Sequence, residues 1–101
     1  MAVTTVRLFA NLRRIAGGKT LDVPLEDGAT VRDLIEAIRQ ISPEIADQLL
    51  DTDRQLPGAV HVVIDGRHAS LLDGLDTIIS PEAEVALIPQ VAGGTFPITY
   101  P

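Results

Sequence analysis

Thr30-Val31-Arg32-Asp33-Leu34-Ile35-Glu36-Ala37-Ile38-Arg39-Gln40-Ile41 is the stretch that decides the architecture. Val31, Leu34, Ile35, Ile38 and Ile41 recur at helical spacing, which predicts one apolar stripe along a helix. Arg32, Glu36, Arg39 and Gln40 fall on the opposite side. Thr30 is a good N-cap, and Asp33 three residues on approximates a capping box. A one-sided helix needs a second layer to cover its stripe. The flanking segments supply that layer as strands.

Toward the N-terminus, Glu26-Asp27-Gly28 reads as a turn. Before it, Leu21, Val23 and Leu25 alternate with Asp22 and Pro24. Pro24 has no N–H for a ladder, so this strand is expected at a sheet edge. Residues 3–10 alternate again, with Val6, Leu8 and Ala10 on one face and Thr5, Arg7 and Phe9 on the other. Asn11 to Gly18 reads as a break, its Gly17-Gly18 pair serving a turn. Toward the C-terminus, Ser42-Pro43-Glu44 ends the helix and opens a short second one with Ile45 and Leu49 on one face. Asp51 to Gly58 is a polar loop, and Ala59 to Asp65 is a strand apolar enough to be central. Asp65-Gly66 is a tight-turn pair, followed by a short return strand over 67–72. Residues 73–84 read as irregular, and 84–89 as the last strand. The sum is α+β, a mixed sheet with one main helix packed across one face.

Composition narrows the function classes. A chain of 101 residues fits one domain. It has no cysteine, which excludes disulfides, thiolate metal sites and a Cys nucleophile. Only three residues are aromatic, so the core is aliphatic. The formal charge of −6 argues against nucleic acid and favours a basic partner surface. No apolar run approaches the ~20 residues of a membrane span, and the start lacks a signal-peptide pattern. A cytoplasmic location is therefore expected. Phosphate-loop, HExxH and dinucleotide patterns are missing. His61 and His68 flank the Asp-Gly turn with no third ligand nearby, so they read as a half-buried strand residue and a surface residue, not a metal site.

The last strand runs out through Pro89-Gln90-Val91-Ala92 into Gly93-Gly94, and then Thr95-Phe96-Pro97-Ile98-Thr99-Tyr100-Pro101. A stretch without side-chain bulk is thin and extensible, suited to threading a narrow channel. A Gly-Gly pair alone reads first as a flexible loop. The surrounding segments carry more. Val6-Arg7-Leu8-Phe9-Ala10-Asn11-Leu12-Arg13, Gly28-Ala29-Thr30-Val31-Arg32-Asp33-Leu34, and Glu84-Val85-Ala86-Leu87-Ile88-Pro89 leading to Gly93-Gly94 stand in one order. Together they resemble the MoaD/ThiS family of ubiquitin-like sulfur carriers, above all its MoaD branch, over residues 3–94. The resemblance implies a β-grasp domain over residues 1–94 and a separate extension over 95–101.

It also implies a chemistry. The terminal glycine of such carriers is activated with ATP by a ubiquitin-activating-type adenylyltransferase and converted to a thiocarboxylate that donates sulfur. Carried onto this chain, the reactive carbonyl is that of Gly94, with Gly93 as its flexible neighbour. The protein is then a carrier and not an enzyme, with no bound cofactor of its own. The acceptor implied is the molybdopterin synthase large subunit or another sulfur acceptor. Phe9 and Ile88 occupy apolar sheet positions of the partner interface, with His68 at its margin. Two departures stand out. Gln90 follows Pro89 where the family commonly has a second proline. Seven residues follow Gly94, so its carbonyl is a planar amide to Thr95. The expectation is cleavage between Gly94 and Thr95, and a JAMM-type metalloprotease is the kind of enzyme the resemblance implies. Two alternatives stay open: a ubiquitin-like modifier conjugated through Gly94, and a binding module that keeps its tail.

Overall fold

The computed structural model describes residues 2–56, 58–80 and 82–89. Strands β1 (Ala2–Leu8) and β2 (Thr20–Leu25) flank a short helix α1 (Leu12–Ala16). The main helix α2 (Val31–Ile41) and a single turn α3 (Pro43–Ala46) follow. Then come β3 (Val60–Ile64), β4 (Arg67–His68), two 3-10 turns at Ala69–Leu71 and Gly74–Asp76, and β5 (Val85–Pro89). The sheet order is β2-β1-β5-β3-β4. β1 and β5 run parallel, and the other neighbours are antiparallel. This is a β-grasp: a mixed five-stranded sheet gripping one helix.

The capping box forms in full. Thr30 Oγ1 accepts from the Asp33 N–H at 3.4 Å, and Asp33 Oδ2 accepts from the Thr30 N–H at 3.0 Å. Val31, Leu34, Ile35 and Ile38 are buried as the spacing predicts. Ile41 is not; it is 45% exposed. The helix stops at Ser42, and fully buried Ile45, Ala46 and Leu49 close that end of the core instead.

Helix α1 replaces the break expected over 11–18. Leu12 is fully buried, and Ile15 and Ala16 pack partly against the core. Gly17 ends the helix at φ 81°, and the N–H groups of Gly17 and Gly18 both donate to Arg13 O, at 2.9 and 3.0 Å. β1 is correspondingly shorter than expected. Ala10 takes φ 56°, so Phe9 and Ala10 leave the ladder and Ala10 is exposed.

β2 lies at an edge, with Pro24 paired to Val3, as its missing donor requires. β5 is the middle strand, and β3 is interior as expected, with β5 on one side and the two-residue β4 on the other. Asp65 (φ 52°) and Gly66 (φ 83°) are both left-handed, the signature of a two-residue type I′ hairpin turn. The return strand is only two residues long, because Ala69 turns inward to a fully buried site. Residues 73–84 are tied to the start of α2 by Val31 N–H to Thr77 O and Ile79 N–H to Ala29 O, at 2.9 and 2.8 Å. Gly58 seats the chain between the layers. Its N–H donates to Leu49 O at 3.0 Å, and a Cβ there would stand 2.5 Å from Gln48 O.

Candidate functional site: the open face of the sheet

Strand alternation divides the sheet cleanly. Val6, Leu8, Val23, Leu25, Val60, Val62, Ile64, Val85 and Leu87 face the helix and are buried. The other face has no helix over it among the described residues. Across β1 and β2 it carries Val3, Thr5, Arg7, Thr20, Asp22 and Pro24, all exposed. Thr5 Oγ1 donates to Asp22 Oδ1 at 3.3 Å, so that half is a solvated polar surface.

The half formed by β5, β3 and β4 is different. Ile88 pairs with His61, Ala86 with Val63, and Val63 with His68. Paired residues share a face, so these five side chains form one contiguous patch. Val63 is only 8% exposed, yet it stands outside the helix-side core cluster. Ile88, His61 and His68 are half-buried. The His61 and His68 rings meet edge to face, with centroids 4.9 Å apart. His61 Nδ1 is buried without a hydrogen-bond partner. Burial, and then the neighbouring His68, hold the His61 imidazole below its ordinary pKa of 6.5. His61 therefore sits in the patch as a neutral ring, an apolar body with one polar edge.

Phe9 joins this patch from the β1 side. The parallel pair Leu8–Leu87 places Phe9 and Ile88 one step further along at the same end of the sheet. Two guanidinium carbons lie over its ring, Arg7 at 5.7 Å and Arg13 at 5.5 Å from the centroid. Arg13 Nε also donates to Leu8 O at 2.8 Å, which fixes the guanidinium in place. Phe9 is half-buried by this stack, where alternation alone suggested an outward residue.

Ile88 and His68 share the open face by register, and Phe9 lies one residue past the end of β1 with the Arg7 guanidinium over its ring. His61 and Val63 belong to the same face. The signal for both was present: residues 61 and 63 alternate with 60, 62 and 64, and 61 and 68 straddle a two-residue turn. Gly93, Gly94 and Thr95 lie outside the described residues. The last described residue is Pro89, five positions before Gly94 (94 minus 89). The patch includes Ile88, next to the last residue of β5. Among the described residues, no group of three or more His, Asp or Glu side chains is placed to hold a metal ion. No described helix is long and apolar enough to cross a membrane.

Comparison with known proteins agrees with this architecture. The ThiS family pattern matches residues 6–94. Small archaeal modifier protein 3 of Haloferax volcanii is 32% identical over 89 residues, spanning 88% of this chain and 96% of that protein. The crystal structure of SAMP1 from Haloferax volcanii superposes with a TM-score of 0.73 at 29% identity, covering 92% of this chain and all of the other. A chain in the BexX/CysO complex of Amycolatopsis orientalis gives a TM-score of 0.73 at 25% identity, over 90% of this chain and 99% of that one. With its β-grasp fold and a match running from the first strand to the glycine pair, this chain belongs to the ThiS/MoaD family of ubiquitin-like sulfur carriers and modifiers.

Proposed function

We propose that the chain is a sulfur carrier whose working end is Gly94, exposed by removal of Thr95–Pro101. The observation that carries this reading is the extent of the family match, which runs through to residue 94 with seven residues beyond it. Cleavage of the Gly94–Thr95 amide by a protease, of which a JAMM-type metalloprotease is one kind, gives a free carboxylate. A carboxylate is a poor electrophile. One of its oxygens attacks the α-phosphorus of ATP on a ubiquitin-activating-type adenylyltransferase, releasing pyrophosphate and giving an acyl-adenylate. A sulfide-level sulfur donor then adds to the carbonyl carbon and expels AMP, leaving a thiocarboxylate. Glycine at 93 and 94 suits this route, because a Cβ at either position widens the segment that enters the partner. Two features of the fold support this reading: β5 ends at Pro89, five positions before the proposed reactive carbon, and an apolar patch lies beside it. We assign Phe9, Ile88, His61 and His68 to that docking face. Molybdenum-cofactor synthesis, with the molybdopterin synthase large subunit as acceptor, is the pathway favoured by the resemblance to the MoaD branch.

A second reading follows from the modifier names of the relatives: the same Gly94 acyl group is passed to a target lysine as an isopeptide. The product separates the two. The decisive experiment is the intact mass of untagged protein purified from its own cells. A species ending at Gly94 with one oxygen replaced by sulfur is the expected result. Covalent conjugates that disappear in a Gly94→Ala strain are the mark of a modifier. A mass retaining Thr95–Pro101 in every fraction overturns both in favour of a binding module.

A further inference from the structure

The overall charge of −6 suggests a basic partner. The docking end of the sheet has the opposite character. The Arg7 and Arg13 guanidinium carbons lie over the Phe9 ring, 5.7 and 5.5 Å from its centroid, and Arg7 is paired in register with Ala86 of β5. The backbone of Lys19, the single lysine, abuts the same corner, its carbonyl accepting from the Leu8 N–H at 2.9 Å. Arg13 uses its Nε on Leu8 O, which leaves its terminal nitrogens directed by that anchor. Among the described residues neither Arg7 nor Arg13 has a carboxylate within ion-pair distance, whereas Arg32 and Arg39 pair with Asp76, Glu36 and Asp47 on the helical side. Asp22, the acidic residue of β2 on this face, is engaged by Thr5. Asp65 and Glu84 lie at the far end, where Glu84 N–H donates to Asp65 Oδ1 at 2.9 Å.

From this arrangement we infer that the Arg7–Phe9–Arg13 stack is a carboxylate-reading clamp, and that the protein surface docking on this face is an apolar patch bordered by Asp or Glu side chains. The inference rests on the proposed docking role of the face and adds the chemistry of the partner. Three physical features support it. Both guanidinium groups lie over one aromatic ring and Arg13 is also anchored to a backbone carbonyl, so part of the side-chain entropy is already lost before binding. Planar guanidinium matches a carboxylate with two parallel hydrogen bonds. Ile88, His61 and Val63 give the same sheet face an apolar centre, and a partner's apolar patch seated there removes water and strengthens a charge pair at its margin. A charge of this sign on an otherwise acidic molecule also selects orientation, because a partner bordered by carboxylates is repelled by most of the remaining surface.

The test uses the full chain, isotopically labelled, titrated with two synthetic peptides. One alternates Leu and Glu, and the other alternates Leu and Lys. Shift changes at Arg7, Phe9, Arg13, His61 and Ile88 with the Glu peptide, at about tenfold higher affinity than with the Lys peptide, are expected. Arg7→Glu with Arg13→Glu removes that preference. Arg7→Lys with Arg13→Lys retains part of it, since the charge stays and the planar fork is lost. Arg32→Glu, on the helical side, leaves it intact. Equal binding of both peptides, or shifts confined to other surfaces, overturns the inference. A thermal melt of each variant confirms that the fold is kept. Adenylation of the processed carrier by its activating enzyme separates this inference from the functional one. No adenylation of the wild type refutes the carrier reading. Adenylation with a KM unmoved by Arg7→Glu and Arg13→Glu refutes the clamp.

Discussion

Leu87 and Ile88 are neighbours in β5 and belong to different parts of the protein's chemistry. Leu87 points to the helix and is fully buried among aliphatic side chains. Ile88 points to the open face, beside His61, and stays half-buried. The helix-side layer is uniform: valine, leucine and isoleucine from four strands meet Val31, Leu34, Ile35 and Ile38. The open layer is heterogeneous, polar over β2 and β1, apolar and aromatic over β5, β3 and β4. Uniform aliphatic packing holds a fold. A patch combining an apolar centre and two imidazole rings, bordered by guanidinium groups that pair with no carboxylate among the described residues, has the composition of a recognition surface. One strand therefore serves stability with one set of side chains and supplies the proposed contact face with the alternate set.

Mutation of these two neighbours gives the largest contrast. Leu87→Ala is expected to cost about 2–5 kcal/mol, read as a drop in the urea midpoint. Ile88→Ala is expected to cost about 1 kcal/mol or less and to weaken partner docking instead. Equal losses of stability would break the distinction, making the open face a second core.

The join between the layers is the next most sensitive place. Gly58→Ala puts a Cβ against the backbone of Gln48, Leu49 and Leu50, which has no flexible end to move aside. A loss of about 1–3 kcal/mol is expected from such overpacking. An unchanged melting temperature would show that the 48–50 backbone yields. Thr30→Ala removes one arm of the capping box on α2 and is expected to cost about 1 kcal/mol, with docking unaffected.

The smallest effect sharpens the view of the open face. His61 is depressed in the folded state, so the unfolded chain takes up a proton first as pH falls below about 6.5. Stability contributed by neutral His61 is full above 6.5, declines as pH drops below that value, and is lost by the time the folded form is protonated. His61→Gln removes this component, and its stability profile over that window is expected to be flatter than that of the wild type. Parallel profiles would place His61 in a more solvated setting than the patch provides.

Much of this was legible along the chain. The capped helix at 31–41, the edge strand carrying Pro24 and the Asp65-Gly66 hairpin all rest on local physics: periodicity, a missing donor, a tolerated left-handed pair. Helix α1 has only the spacing of Leu12, Ile15 and Ala16 ahead of Gly17, five residues, too few for periodicity to separate a helix from a break. Other features had no local signature. That Phe9 is clasped by Arg7 and Arg13 depends on Ala10 turning the chain out of β1. That His61, Ile88 and His68 form one patch depends on β5 pairing with β1 on one side and β3 on the other. Alternation assigns each residue to a face of its own strand. Only long-range hydrogen-bond register decides which residues of different strands share that face, and register is set by closure of the sheet over its core.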